Sequence, residues 1–311
     1  RRAGRGRRLM LHVRGLGVRY GPTFAVRGFD LEVAAGEIVT LLGPTGCGKS
    51  SVLRAVAGME PVAEGEVRID ELVVRPRHEP PPERRGVGLV FQDFALFPHL
   101  TVLQNVAFRV RDRERAEGWI RMLGLEAFRD AMPETLSGGQ KQRVALARCM
   151  AHEPRLVLLD EPLSNLDAAL KASLRFQIRA VLKGAGVPAI WVTHDQDEAL
   201  SVGDRVAIMD AGRLVQVDAP EVCFQEPASR FVARFLGEGS CLEGRLEEGG
   251  VRTVLGGSSA ATGAAGRLGP GAAVEVLLRP HDLRIEPGQG ANARVLWGRF
   301  EGETRLYAVR L

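Results

Sequence analysis

Gly43-Pro44-Thr45-Gly46-Cys47-Gly48-Lys49-Ser50 lies between the apolar run Ile38-Val39-Thr40-Leu41-Leu42 and a helix-like segment, Ser51 to Ala57. The octapeptide fits G-x-x-x-x-G-K-[ST], and a strand before it with a helix after it is the context that this pattern requires. Glycines let the backbone curl until consecutive N–H groups face one point, and the helix N-terminus adds partial positive charge there. Such a nest holds a polyphosphate. Its wall runs through Gly43, Pro44, Thr45, Gly46, Cys47, Gly48, Lys49, Ser50 and Ser51. Lys49 then reaches the β and γ phosphates as a mobile charge, and the Ser50 hydroxyl ligates Mg²⁺. A plain glycine turn accounts for shorter glycine motifs, but the full pattern in this context favours nucleotide binding.

A phosphate loop needs an acidic partner, and Leu156-Val157-Leu158-Leu159-Asp160-Glu161 supplies one at the end of a second apolar run. Asp160, at the carboxyl end of that strand, is placed to hold Mg²⁺. Glu161 points elsewhere, because successive strand side chains alternate, and is the candidate to polarise an attacking water. Taken alone, two acids after a strand are equally a helix N-terminus dressed with carboxylates.

The runs Ile38–Leu42, Leu156–Leu159 and Ala189–Val192 are continuously apolar, as strands buried on both faces of a parallel sheet are. Helical segments between them give an α/β core. Residues 11–33 alternate instead, with Phe29, Leu31 and Val33 opposite Asp30 and Glu32, and read as an antiparallel edge of a sheet. Gly58 reads as a helix C-cap. The segment Arg75–Arg85, with Pro76, Pro80, Pro81 and Pro82, reads as a surface connection, followed by a strand at Val87–Phe91. Helical patterns at Thr101–Val110, Glu114–Leu123 and Gly138–Met150 form a helical subdomain, about 93–153, inserted into the core. A helix at Ala228–Leu236 closes the first domain, 10–237, and Gly237-Glu238-Gly239-Ser240 is the linker. Short strand-like runs at 274–278, 283–285, 293–297 and 305–311 then suggest a small β-barrel domain, 241–311.

The 311 residues are 45% hydrophobic and 26% charged, a globular composition with two domains as the prior. Five arginines fall within the first eight positions, and removing them takes the net charge from +4 to −1. The basicity therefore belongs to residues 1–9, read as a disordered extension ahead of Met10, and gives weak support for nucleic acid. No apolar h-region follows these arginines, and no apolar stretch reaches the ~20 residues of a membrane span. Cys47, Cys149, Cys223 and Cys241 form no C-x-x-C, which fits reduced thiols in a cytoplasmic setting.

Leu136-Ser137-Gly138-Gly139-Gln140 opens the helix that runs to Met150, with Ser137 either capping it or donating to a phosphate oxygen. Following the phosphate loop and preceding Asp160-Glu161, this pentapeptide resembles the signature of ATP-binding cassette proteins, and the resemblance runs from about Leu11 to Gly237. It implies a P-loop ATPase that uses ATP and Mg²⁺. Tyr20, which by itself is equally a core residue, looks like the aromatic that stacks on adenine. Gln92 matches the glutamine that senses Mg²⁺ and the lytic water. Ser164-Asn165-Leu166-Asp167 matches the loop crossing the dimer interface, with Asn165 where alanine is frequent; Lys141 stands where glutamine is frequent. His194 matches the switch histidine at the γ-phosphate. In the family two subunits pair head to tail, so that Ser137, Gly139 and Gln140 of one close over the phosphate loop of the other. Cys47 inside the loop implies that alkylation there blocks the ATPase.

Arg279-Pro280-His281-Asp282-Leu283 resembles an element of the transport-associated OB domain that importer ATPases carry, here shorter than the family's usual barrel. The implied partners are a second copy, two integral-membrane permease subunits and a periplasmic or extracellular solute-binding protein, with no nucleic acid. The implied location is peripheral, on the cytoplasmic face of the inner membrane. Pro81–Asp93, Leu96–Val102 and Phe235-Leu236-Gly237 look most like ferric iron importers; polyamine, sulfate and sugar importers are the alternatives. A nucleic-acid-associated cassette ATPase is a remote one, since the tail domain lacks interleaved aromatic and basic residues.

Overall fold

The computed structural model describes residues 8–248, 250–258, 268–282, 293–301 and 304–310. The arginine-rich stretch 1–7 and the strand expected at 283–285 lie outside the described residues. The chain divides between Cys223 and Phe224 into two compact units.

The first unit opens with β1 (Leu9–Tyr20) and β2 (Thr23–Ala34), paired antiparallel. Phe29, Leu31 and Val33 are buried while Asp30 and Glu32 are exposed, as alternation predicts. After β3 (Ile38–Leu42) and α1 (Lys49–Ala57) come β4 (Glu64–Ile69) and β5 (Leu72–Val74). The antiparallel strands are not an edge of the parallel sheet: they form their own four-stranded sheet, ordered β2-β1-β4-β5.

The rest of the unit comprises β6 (Val87–Val90), α2 (Val102–Val106), α3 (Arg113–Met122), α4 (Gly138–Ala151), β7 (Leu156–Asp160), α5 (Ala168–Ala185), β8 (Ala189–Thr193), α6 (Gln196–Val202), β9 (Arg205–Asp210), β10 (Arg213–Asp218) and α7 (Pro220–Gln225), which reaches the boundary. Its six-stranded sheet is ordered β10-β9-β3-β8-β7-β6, all parallel except β10. Both faces are covered, which is why the central strands β3, β7 and β8 are nearly continuous apolar runs. Val39, Leu41, Leu158 and Ile190 share a core with Val52 and Leu53 of α1 and with Leu11 and Phe29 of the antiparallel sheet. Ile38, Val157, Leu159 and Trp191 share another with Val102, Ile120, Leu146 and Leu174 of helices α2 to α5. Between β6 and β7 the chain leaves the sheet to build α2, α3 and α4, the inserted helical subdomain.

Helix α1 ends at Gly58, whose φ of 89° is a left-handed cap and whose N–H turns back to Arg54 and Ala55 carbonyls. Arg85 completes that cap from the proline-rich connection. Its guanidinium is 2% exposed and donates to Ala55 O at 2.7 Å, Val56 O at 3.2 Å and Pro80 O at 2.8 Å.

The second unit contains α8 (Arg230–Phe235), β11 (Ser240–Glu247), β12 (Gly250–Thr253), β13 (Gly256–Ser258), β14 (Ala273–Leu278), β15 (Arg294–Glu301) and β16 (Thr304–Arg310). One antiparallel sheet is ordered β13-β12-β11-β14, and β15 pairs with β16, giving the OB-like β domain anticipated from the strand pattern. Arg279 is buried against α8 and its flanks: it donates to Ala233 O at 2.9 Å and Gly237 O at 2.8 Å, with its guanidinium 4.3 Å from the Phe224 ring centroid.

Replacing Arg85 with Ala leaves buried carbonyls without their donor, so Arg85→Ala is expected to lower the unfolding free energy by about 2–4 kcal/mol. Urea denaturation measures this, and a loss below about 0.5 kcal/mol, the size of an ordinary surface change, removes Arg85 from that role.

Candidate functional site

The parallel order sets the site. Strand β3 lies between β8 and β9, with β7 beyond β8, so the loops leaving β3, β7 and β8 converge at one edge. The loop after β3 is the glycine octapeptide. A Cβ on Gly43 would lie 2.4 Å from Met209 O, and Gly48 stands at φ 105° as the N-cap of α1, so both positions demand glycine. Lys49 is 5% exposed, and its Nζ donates to Gly43 O at 2.7 Å and Pro44 O at 2.9 Å. The ammonium is thus stored against the loop's own carbonyls, beside the first turn of α1. Tyr20 is 44% exposed at the end of β1, its hydroxyl hydrogen-bonded at 3.3 Å to Ser51 Oγ in that same turn.

Residues from separate motifs meet across this edge. Ser50 Oγ donates to Asp160 Oδ1 at 2.9 Å, setting two hard oxygen ligands side by side, which is the donor set Mg²⁺ takes. Burial pushes the Asp160 carboxyl above its ordinary range, against the pull of Ser50, Arg54 and Lys49. The next residue, Glu161, stands at φ 46°, a left-handed conformation uncommon outside glycine. Three backbone bonds hold it there: its N–H donates to Val192 O at 3.1 Å, and its carbonyl accepts from Ser164 N at 3.2 Å and Ser164 Oγ at 3.0 Å. Its Oε2 lies 2.9 Å from His194 Nδ1, leaving Nε2 as the imidazole nitrogen outside that pair.

Gln92 follows β6, exposed, and its carbonyl accepts from Asn165 Nδ2 at 3.0 Å. Beyond it Phe94 and Ala95 have φ of 63° and 44°. Arg148 of α4 donates to both carbonyls, at 3.2 and 2.7 Å. Fully buried Asn105 of α2 bonds Phe97 N and O, Leu100 O and Thr101 O, fastening the far end of the same loop. The signal for Asn105 is an amide inside the apolar run of α2. Arg148 has no comparable signal, since an arginine near a helix end is ordinary.

Ser137, Gly139 and Gln140 are not drawn into this cluster within one chain. Ser137 caps α4: its Oγ accepts from Gln140 N at 3.3 Å, and its N–H donates to Gln140 Oε1 at 2.7 Å. A Cβ on Gly139 would meet the Leu170 side chain at 2.9 Å. Cys47 departs from expectation. Its backbone belongs to the loop, but its thiol is 5% exposed in the core beneath, 2.7 Å from where a Gly43 Cβ would stand, and burial raises its pKa. It is a poor target for alkylation.

Residues 26–164 match the family model described as ABC transporter. An sn-glycerol-3-phosphate import ATP-binding protein of Rhizobium johnstonii is 43% identical over 251 residues, 78% of this chain and 67% of the relative. A spermidine/putrescine import ATP-binding protein of Lawsonia intracellularis is 41% identical over 90% of this chain and 78% of its own length. An Fe(3+) ions import ATP-binding protein of Mesorhizobium japonicum is 40% identical over 97% and 87%. Among solved structures, the ATP-binding cassette MJ0796, a dimer bound to ADP and Pi, superposes with a TM-score of 0.59 at 29% identity over 68% of this chain and 99% of that one. Fold and site thus define a P-loop ATPase. The chain belongs to the ABC transporter family, among relatives that are ATP-binding subunits of importers, and it is an ATPase that binds ATP. No helix among the described residues is long and apolar enough to cross a membrane.

Iodoacetamide is expected to modify half-exposed Cys241 first, with buried Cys47, Cys149 and Cys223 lagging at least ~10-fold until the chain unfolds. Peptide mass spectrometry over a time course reads the order, and early labelling of Cys47 overturns it.

Proposed function

We propose that this chain hydrolyses MgATP as a head-to-tail dimer and thereby drives import through two permease subunits supplied by a solute-binding protein, at the cytoplasmic face of the membrane. The observation that carries the reading is the junction of Ser50 with Asp160 and of Glu161 with His194 at one sheet edge. The backbone of Gly43 to Gly48 cradles the phosphates, and Lys49, released from its loop carbonyls, neutralises the β and γ oxygens. Ser50, Asp160 and Gln92 would hold Mg²⁺, which would supply positive charge to shield the phosphates. Glu161 orients the water that attacks in line, and His194 presents its free nitrogen to the γ-phosphate. Tyr20 carries the adenine. Catalysis is then positioning and charge neutralisation, as phosphoryl transfer requires.

Ser137, Gly139 and Gln140 act on the nucleotide of the opposite subunit. Ser137 stands exposed at the N-terminus of α4, an anion-seeking end, and the dimeric cassette MJ0796 supports such pairing. The proposed ATPase domain takes residues 10–237, with its helical subdomain at about 93–153, and the transport-associated domain 241–311; the compact units divide earlier, between Cys223 and Phe224, so that α8, expected to close the first domain, lies in the second unit.

Ferric iron is the proposed cargo. The Fe(3+) relative is matched over 97% of this chain, which supports the resemblance read in Pro81–Asp93, Leu96–Val102 and Phe235-Leu236-Gly237. The second reading keeps the same ATPase mechanism with a polyamine, sulfate or sugar as cargo, and the spermidine/putrescine and sn-glycerol-3-phosphate relatives, at 41% and 43% identity, support a cargo other than iron equally well.

Glu161→Gln is expected to retain ATP binding and lose hydrolysis by about 10²-fold or more, the scale of a lost general base. Hydrolysis at the native rate would refute the assignment of Glu161. Uptake of labelled ferric iron, spermidine and glycerol 3-phosphate by cells carrying the native chain or Lys49→Ala identifies the cargo, with loss of iron uptake alone expected. Retained iron uptake with loss of another solute overturns only the iron reading.

A further inference from the structure

Behind the hydrolytic pair lies a buried carboxylate to which no role has been given. Asp195-Gln196-Asp197-Glu198 reads as a helix capping box, in which the glutamate would fold back to the cap N–H. Half of the box forms: Glu198 N donates to Asp195 Oδ1 at 3.0 Å. The other half does not. The Glu198 side chain is 5% exposed and turns inward, where Oε1 accepts from the indole Nε1 of Trp191 and Oε2 accepts from Thr193 Oγ1 at 3.0 Å. Thr193 Oγ1 in turn accepts from Asp195 N at 3.0 Å.

Trp191 and Thr193 are two residues apart on β8, so their side chains leave the same face of the strand. One carboxylate therefore grips the last turn of the pleat from one side. Between them, Val192 offers its carbonyl to Glu161 N at 3.1 Å, and directly after them His194 meets Glu161 Oε2. The end of β8 is thus the frame on which both members of the pair are set, and Glu198 is the group that fixes that end to α6. Thr40 Oγ1 of β3 donates to Ala199 O at 3.1 Å and pins α6 in turn to the strand that feeds the phosphate loop. Burying a carboxylate is costly: burial raises the Glu198 pKa, and the Trp191 and Thr193 donors pull it back. An apolar residue would pack that space more cheaply, yet it would leave an indole N–H and a hydroxyl without an acceptor.

We propose that Glu198 is a positioning residue for hydrolysis, holding the end of β8 so that Glu161 and His194 keep their mutual geometry. The inference rests on the roles proposed above for Glu161 and His194. A displacement of 1 Å at reacting groups costs on the order of 10²-fold in rate, so a loss in kcat with nucleotide affinity retained is the mark of such a role.

The test uses the full chain with Glu198→Ala, Glu198→Gln and Thr193→Val, and Glu161→Gln in parallel. Steady-state kinetics are expected to give kcat lowered roughly 10-fold or more for Glu198→Ala, with KM for ATP within about twofold, and a smaller loss for Glu198→Gln, which keeps one acceptor oxygen. The indole N–H resonance of Trp191, assigned with Trp191→Phe, is expected to move upfield when the carboxylate is removed. Glu198→Ala turning over at the native kcat while that resonance moves overturns the proposal. If Glu198→Ala does not fold, native kcat in both Glu198→Gln and Thr193→Val overturns it, and a reduced kcat with unchanged KM in both supports it. Native hydrolysis by Glu161→Gln would instead strike down the underlying site reading, whereas inactive Glu161→Gln beside fully active Glu198 variants removes this inference alone.

Discussion

The structure depends on β3, β8 and β7 being parallel neighbours. Parallel pairing sends the carboxyl ends of all three strands to one edge, and with them the phosphate loop, the Asp160-Glu161 pair and His194. Antiparallel pairing would scatter these groups to opposite ends of the sheet. Parallel strands must be buried on both faces, so the fold carries two cores, one under the antiparallel sheet and α1, the other under α2 to α5. The bond from Ser50 to Asp160 spans 110 residues of sequence and closes that edge.

The local stretches were the most legible. A glycine loop between an apolar strand and a helix, an acid pair at a strand end, and an Arg-rich beginning are each written in contiguous residues. The all-apolar runs identified the parallel sheet because burial on two faces leaves no room for alternation. The small sheet was harder: β4 mixes Glu64, Glu66 and Arg68 with few apolar residues, and its strand character comes from pairing with β1, some fifty residues earlier, while the three-residue β5 pairs with β4 alone. Helix α5 was legible in principle, with Asp167 as its cap and Leu174, Ile178 and Leu182 on its buried stripe.

Around the site, sequence patterns named the residues that meet at the sheet edge and missed the bonds that hold them there. Asn105, Arg148, Ser164 and Glu198 act on backbone carbonyls or on neighbouring side chains, and no spacing announces such bonds. Asp195 and Glu198 show why: the same D-x-x-E spacing that serves a helix cap here sends its glutamate inward. Cys47 is the converse case, since membership of the loop says nothing about which way a thiol points. The Ser137 motif is complete as a helix cap within one chain.

Phe94 and Ala95 are consecutive non-glycine residues in left-handed conformations, each costing about 1–2 kcal/mol. The guanidinium of Arg148 clamps their carbonyls, and Asn105 anchors the segment a few residues on. The turn after Gln92 is therefore a wound spring with a latch. Its strain is held from two helices, by Arg148 of α4 and Asn105 of α2, and its near end is tied as well, since Gln92 O accepts from Asn165 Nδ2, so that three separate segments of the chain share the cost of one turn.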